Sequence, residues 1–164
     1  MTTDRAAITV SPSDHPAAGR VKRVLALDVG DRRIGVAVSD ELGLTAQGVT
    51  TIHRRSWAAD LAEVARLVDG WQAKTVVVGL PLTLEGTVGP RAELVQTFMR
   101  RLAAAVRVPV VPWDERFSTV TAERVLIEAD LSRARRRSVI DKTAAVVILQ
   151  HFLDTTRHAA EDPA

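Results

Sequence analysis

Three carboxylates in the sequence could together hold a divalent metal ion: Asp28, Glu115 and Asp141. Asp28 directly follows the apolar run 24–27, and Glu115 comes just after the apolar run 108–113. Strand centres disfavour Asp, and an unpaired charge is costly to bury. We therefore expect both carboxylates to lie at an opening at the ends of their strands, where open α/β sheets bind ligands.

Asp141 begins an apolar helical stripe, because Ala145, Ile148 and Phe152 follow it at i+4, i+7 and i+11. A carboxylate in that position points toward the core side of its helix. Several acids that converge on one point repel each other unless a cation lies among them. Oxygen ligands favour Mg²⁺ or Mn²⁺, and such ions could activate a water and stabilise the leaving oxygen of a phosphodiester.

Each of these acids also has a purely structural explanation that the sequence leaves open. The string Ser138-Val139-Ile140-Asp141 matches a capping box, so Asp141 could close the start of a helix. Glu115 could form a surface ion pair with Arg116 or Arg124, and Asp28 could be a turn residue. We interpret Asp31, Asp40 and Asp114 as turn residues, and His15, His53, His151 and His158 as structural or solvated.

The densest positive charge directly precedes Asp141 and comprises Arg133, Arg135, Arg136 and Arg137, with Lys142 just beyond. We predict a basic loop whose arginines bind phosphates and so bring a nucleic-acid backbone beside the carboxylates. The alternative is a solvated loop without a partner.

The elements that must position these residues follow from apolar periodicity. We predict strands at 23–29, 33–39 and 47–53 as an antiparallel meander, then a buried parallel strand at 75–78 and a proline-bearing edge strand at 108–113. Helices are predicted at 56–70, from Pro90, over 118–129 and from Ser138 to about Asp154. The predicted apolar stripe of the helix from Pro90 is Leu94, Phe98, Leu102 and Ala105. This order indicates an α/β sheet of mixed direction. Residues 1–20 are expected to be a disordered leader, 21–156 one domain and 157–164 a disordered tail.

Composition narrows the class of protein. The chain has 164 residues, which suits one domain, and no cysteine, which excludes disulfides and thiolate metal sites. No apolar run approaches the length of a membrane span, roughly 18 residues, so we expect no membrane partner. The net charge of +2 is too small to identify a partner by itself.

Four motifs in order give the sequence a recognisable pattern: residues 27–40, Val78-Gly79-Leu80-Pro81 with Gly86-Thr87, residues 114–119, and residues 141–145 with Leu149-Gln150. Together they resemble the YqgF/RuvX-type family of Holliday-junction-resolvase-like proteins, which are also described as pre-16S rRNA nucleases. The resemblance spans roughly residues 23–154. It implies an RNase H-like fold, a five-stranded mixed sheet flanked by helices. It also implies that Asp28, Glu115 and Asp141 are the catalytic, metal-binding triad for Mg²⁺ or Mn²⁺.

The resemblance further implies cytoplasmic maturation of the 5′ end of 16S rRNA, with the precursor rRNA as partner. Within its motifs, Arg32, Arg33 and Arg116 are further candidates for nucleic-acid binding. A resolvase that cuts branched DNA, for which a homodimer would be expected, is the alternative with the same chemistry. A non-catalytic nucleic-acid-binding or transcription-associated factor is the alternative from another class, and the presence of all three acids counts against it.

Overall fold

The computed structural model describes residues 23–114, 116 and 133–161, and for 133–141 it describes the backbone alone. In chain order, the elements within these residues are β1 (Val24–Val29), β2 (Arg33–Ser39), β3 (Ala46–His53), α1 (Trp57–Gly70), β4 (Thr75–Leu80), α2 (Pro90–Ala105), β5 (Val110–Asp114) and α3 (Arg133–Glu161). The predicted helix over 118–129 and the predicted leader 1–20 lie outside the described residues.

The five strands form one mixed sheet in the order β3-β2-β1-β4-β5. Pairs β1–β2 and β2–β3 are antiparallel, which confirms the predicted meander. Pairs β1–β4 and β4–β5 are parallel. The carboxyl ends of β1, β4 and β5 therefore meet at one edge of the sheet, which we call the carboxyl edge. Strand β5 lies at the side of the sheet, as Pro109 before it and Pro112 within it predicted.

Helices cover both faces of the sheet, so the central strands β1, β2 and β4 are buried on two sides. Leu25, Leu27 and Val29 of β1 belong to a core that α1 and α2 complete. Ala26 belongs to a second core, which α3 supplies on the opposite face. Alternate residues of a strand point to opposite faces, and this alternation decides which helix each β1 side chain meets.

Helices α1 and α2 begin where the sequence predicted. The hydroxyl of Ser56 accepts a hydrogen bond of 3.1 Å from the backbone N–H of Ala59, which satisfies an otherwise unpaired donor at the start of α1. Helix α2 begins with Pro90. Its predicted stripe is partly wrong, because Leu94 and Ala105 are exposed. The predicted stripe advanced mostly in steps of four residues, whereas one helical turn has 3.6 residues. The buried face follows mixed steps of three and four residues and comprises Ala92, Val95, Phe98, Met99 and Leu102.

Helix α3 is longer at both ends than predicted. It begins at Arg133 rather than Ser138, so the predicted basic loop 133–137 is a helix. It continues to Glu161, so residues 157–161 are helical and not a disordered tail. Arg and Ala are strong helix formers, and Asp154 forms an ion pair of 2.9 Å with Arg157 one turn later. No helix within the described residues is both long and apolar enough to cross a membrane.

Candidate functional site

Asp28 lies near the end of β1, at the carboxyl edge. It is half-buried and is aligned with Gly35 of β2. Because it follows Ala26 by two residues, it lies on the sheet face that α3 covers. Its chain neighbours Leu27 and Val29 are buried on the other face. This confirms the predicted position of Asp28 near the end of its strand.

The turn after Asp28 is held by backbone contacts. The N–H of Gly30 donates to the carbonyl of Arg33 at 2.8 Å, and the N–H of Arg54 donates to the carbonyl of Arg32 at 2.9 Å. A Cβ atom at Gly30 would lie 2.9 Å from the Arg33 carbonyl oxygen, so this close approach requires glycine. Of the two arginines predicted to bind nucleic acid here, Arg32 is exposed and Arg33 is half-buried.

The backbone of α3 places Asp141 on the same side of the sheet as Asp28. Ala145, Ile148 and Phe152 are buried against the sheet, which confirms the stripe that Asp141 precedes. Ser138, which would supply the capping hydroxyl of the predicted capping box, is the sixth residue of α3. The capping-box explanation of Asp141 is therefore wrong, because a helix that begins at Arg133 needs no cap in its second turn. The side chain of Asp141 is outside the description.

Two contacts fix the direction of α3. Near its middle, the amide of Gln150 bonds Ala46 N at 3.0 Å and Leu44 O at 2.9 Å, beside the β2–β3 turn. Earlier in the helix, the side-chain carbons of Lys142 lie close to Gly48 of β3. A Cβ atom built on Gly48 would be 3.6 Å from the Cβ of Lys142. Since β3 runs from Ala46 toward the carboxyl edge, the N-terminal turns of α3 point toward that edge. Those turns carry Asp141 and the arginine cluster.

At the end of β5, the structure describes an ion pair beside the remaining predicted acid. Asp114 accepts hydrogen bonds from Arg116 Nε at 2.8 Å and from its backbone N–H at 3.1 Å. Burial raises the pKa of Asp114, but these bonds and the guanidinium charge outweigh it and hold the pKa below its usual value. Arg116 is thus paired with Asp114, although it was also considered as a surface partner for Glu115. Glu115 itself lies outside the described residues.

Arg116 also reaches the loop that follows β4. Its Nη1 atom is 3.4 Å from the carbonyl of Leu84, and a Cβ on Gly86 would meet the same nitrogen at 3.2 Å. The positive φ of 82° at Gly86 favours glycine in any case. The contacts give Arg116, a predicted nucleic-acid contact, a structural task as well, because it fastens this loop to the end of β5.

Asp28 is the one predicted metal ligand whose side chain the structure describes, and its chemistry suits that role. Asp28 offers a hard carboxylate oxygen at a half-buried strand end, the kind of ligand that Mg²⁺ and Mn²⁺ prefer. Among the side chains that the structure describes, no three acids or histidines are grouped closely enough to hold a metal ion. Glu115 and the Asp141 side chain are not among them, so the triad stays a prediction.

Sequence reasoning missed a buried ion pair on the opposite face of the sheet. Arg54 Nε and Asp60 Oδ2 are 3.0 Å apart, and the Asp60 side chain is only 3% exposed. The sequence held one signal for this pair, an acid in the first turn of α1 beside the apolar stripe, since buried acids are rarely left unpaired. The partner could not be named, because Arg54 precedes the helix.

Comparisons with known proteins agree with the architecture. A family model described as "RuvX: Holliday junction resolvase" matches residues 22–155. A protein of Symbiobacterium thermophilum named "Putative pre-16S rRNA nuclease" is 56% identical over 86% of this chain and 96% of its own length. One of the same name from Moorella thermoacetica is 57% identical over 80% of this chain and 94% of its own length.

Solved structures resemble this fold at low identity. RuvC of T. thermophilus, in complex with a Holliday junction substrate, matches with a TM-score of 0.56 at 14% identity, covering 85% of this chain and 97% of RuvC. The Fowlpox virus Holliday junction resolvase matches with a TM-score of 0.52 at 10% identity, covering 81% and 99%. At such identities the likeness concerns the fold alone, and it confirms the predicted RNase H-like architecture.

Proposed function

Because this chain belongs to the RuvX family of Holliday-junction-resolvase-like nucleases, we propose that it is a divalent-metal-dependent endonuclease that matures the 5′ end of precursor 16S rRNA. Relatives with more than half of their residues identical are named for that substrate, which supports RNA over DNA. Processing of precursor rRNA would place its work in the cytoplasm.

One observation carries the proposal: Asp28 and the N-terminal part of α3 lie on the same face of the sheet, at its carboxyl edge. A carboxylate at the end of β1 is thereby brought to the helix that bears Asp141. Glu115 directly follows β5, whose carboxyl end lies at the same edge. The three predicted ligands come from distant parts of the chain. The described ends of β1 and β5 and the N-terminal turns of α3 all reach this one edge, which supports a shared site.

Asp28, Glu115 and Asp141 would hold Mg²⁺ or Mn²⁺ at this edge. When bound, such an ion activates a water and stabilises the leaving oxygen of a phosphodiester. The chain's own part is to fix its ligands: the tight turn at Gly30 holds the end of β1, and the buried stripe of α3 holds the helix against the sheet. Ligands held this way need little reorganisation when substrate arrives.

The arginine cluster at the start of α3 would supply affinity for the phosphate backbone. Arg133, Arg135, Arg136 and Arg137 belong to the first two turns of α3, directly before Asp141. Replacing Arg135, Arg136 and Arg137 by Ala should weaken binding to many sequences alike, because phosphate contacts carry no sequence information. The slope of log K against log salt should fall by about 0.7 to 0.9 for each lost contact. An unchanged slope would mean that the cluster is only a solvated face.

The deciding experiment compares cleavage of a precursor 16S rRNA 5′ end and of a four-way DNA junction, each with Mg²⁺, with Mn²⁺ and with EDTA. Asp28→Asn keeps the shape of the side chain and removes its charge, so it should abolish cleavage. Asp69→Asn makes the same change at an exposed position near the far end of α1 and should leave cleavage intact. Full activity of Asp28→Asn, or undiminished activity in EDTA, would refute the proposal.

The same experiment separates the proposal from its alternatives. Cleavage of the junction alone would establish the resolvase activity that the family description names. That activity would call for a homodimer, since symmetric cutting of a junction needs two active sites, whereas trimming one RNA end does not. Binding of either substrate without cleavage under any condition would identify a non-catalytic nucleic-acid-binding factor.

A further inference from the structure

A cleft of about 370 Å³ opens on the face of the sheet opposite Asp28. It lies between the β1–β2 turn, the start of α1 and the start of α2, and three arginines line it: Arg54, Arg55 and Arg91. We call it the arginine cleft. None of these residues belongs to the predicted site, so their gathering requires a separate explanation.

Arg54 builds the wall of the arginine cleft. Besides its ion pair with Asp60, it donates from Nη1 to the carbonyl of Gly30 at 2.9 Å. Its guanidinium carbon lies 5.3 Å from the ring centroid of Trp57 and 5.6 Å from that of Phe98. Arg54 therefore ties the β1–β2 turn to both helices and neutralises the buried acid, and these contacts commit its charge to the fold.

Arg55 and Arg91 are the cations left for a partner. Both are exposed, and within the described part of the chain neither has a carboxylate at ion-pair distance. The lining also includes Asp31, an exposed acid, which is one negative charge against these two free positive ones. The side chains present at this cleft therefore favour an anion.

One further feature favours a nucleic-acid strand over a small ion. Leu94 lines the same cleft although it is 56% exposed, so an apolar surface lies beside the two free cations. A sugar or base could cover that surface while the phosphates meet the arginines.

The position of the arginine cleft links it to the predicted site. Val29, Gly30 and Asp31 line it, and they directly follow Asp28 in the chain. Asp28 lies on the α3 face of the sheet and Val29 on the α1/α2 face. A strand that crosses the carboxyl edge would meet the predicted metal site on one side and the arginine cleft on the other.

We propose that the arginine cleft binds the phosphate backbone of the nucleic-acid substrate where the strand has crossed the carboxyl edge, beyond the bond to be cut. This inference rests on the proposed function for the identity of the substrate. The contacts would be electrostatic and independent of sequence, so the cleft would add affinity and orient the strand without taking part in the chemistry.

The test measures binding in EDTA, where no cleavage interferes, with a fluorescently labelled RNA hairpin that carries a single-stranded 5′ extension and with a four-way DNA junction. The variant Arg55→Ala/Arg91→Ala removes the two free cations. The matched control Lys74→Ala/Arg107→Ala removes two exposed charges that precede β4 and β5, at the opposite end of the sheet. Both variants should melt like wild type, because none of the four side chains is buried.

For the cleft variant, the slope of log K against log salt should fall by about 1.4 to 1.8, the value for two phosphate contacts. Raising the salt from about 50 to about 200 mM weakens binding by both proteins. The fold-loss of affinity for wild type should be about 7 to 12 times the fold-loss for the cleft variant. The control variant should keep the wild-type slope. Equal slopes for all three proteins, or equal losses in both variants, would overturn the proposal.

The outcome is independent of whether the chain cuts RNA. A reduced slope in the cleft variant together with no cleavage by wild type would uphold the cleft and refute the nuclease proposal. Cleavage by wild type together with an unchanged slope in the cleft variant would uphold the nuclease proposal and refute the cleft. An acidic protein as the true occupant would also leave the slope for nucleic acid unchanged, and that result counts against the proposal.

Discussion

Replacing Asp141 by Asn distinguishes a metal ligand from a residue that only stabilises its helix. Helix α3 begins at Arg133, so Asp141 is the ninth residue of the helix and lies beyond the first turn. Its position is therefore not one of those whose N–H groups lack a partner within the helix. If Asp141 is instead a ligand beside Asp28 and Glu115, it is repelled by them in the absence of a cation, and its neutralisation relieves that repulsion.

The expected magnitudes differ enough to be measured. Loss of a helix cap costs about 1 kcal/mol, which lowers the melting temperature by about 2–4 °C for a domain of this size. Asp141→Asn should instead melt at or above the wild-type temperature in EDTA. A metal ion at 100 times its dissociation constant stabilises the native state by about 2.7 kcal/mol, or about 5–11 °C. The variant should gain less than that from Mn²⁺, and it should be inactive.

The assay is thermal unfolding followed by circular dichroism, in EDTA and in Mn²⁺, with Ser138→Ala as the control. Ser138 lies inside α3, where Ala is the better helix former, so this variant should lose no stability and should keep the full metal-induced rise. The reasoning is refuted if both variants melt about 2–4 °C below wild type in EDTA, as lost caps would, and if Asp141→Asn still shows the wild-type rise in Mn²⁺.

Three other substitutions test the scaffold of the site. Gly30→Ala should lower stability by about 1–3 kcal/mol and reduce cleavage, because its Cβ would lie 2.9 Å from a carbonyl oxygen of the turn, whereas Gly70→Ala meets no atom within 4 Å and should be tolerated. Asp60→Ala should cost about 3 kcal/mol in urea unfolding, because it leaves the guanidinium in the wall of the arginine cleft unpaired. Arg116→Ala should be less stable than wild type at neutral pH. That difference should shrink as pH falls below about 4, because the pKa of Asp114 is lowered in the native state and its contribution is lost on protonation; a difference that does not vary with pH would contradict this.

Local periodicity was sufficient for most of the fold. The two consecutive apolar runs of β1 and β2 predicted their pairing, Ser56 predicted the start of α1, and the prolines near β5 predicted a strand at the side of the sheet. These features depend on the residues of one element or on two consecutive ones. The burial of α2 was predicted less well, because steps of four residues did not identify which face meets the sheet.

The ends of α3 show where local signals mislead. Ser138 and the residues after it match a capping box, yet the helix continues upstream through the arginines to Arg133. A capping box is a few residues long and is compatible with a helix interior. What holds α3 is the burial of Ala145, Ile148 and Phe152 against the sheet, and that packing involves strands more than a hundred residues away in the chain.

By itself, the sequence determined the family, the class of fold and the identity of the three candidate ligands, because these depend on residue types, spacing and order. Only the tertiary structure decided that Asp28 faces α3, that Ser138 and Asp141 are not a helix cap, and that Arg116 is held by Asp114. It alone brought Arg54 to Asp60 and gathered Arg55 and Arg91 at one cleft. The physical reason is that charged side chains choose partners across elements, where burial and the sheet register place them, and no local pattern in the chain records those distances.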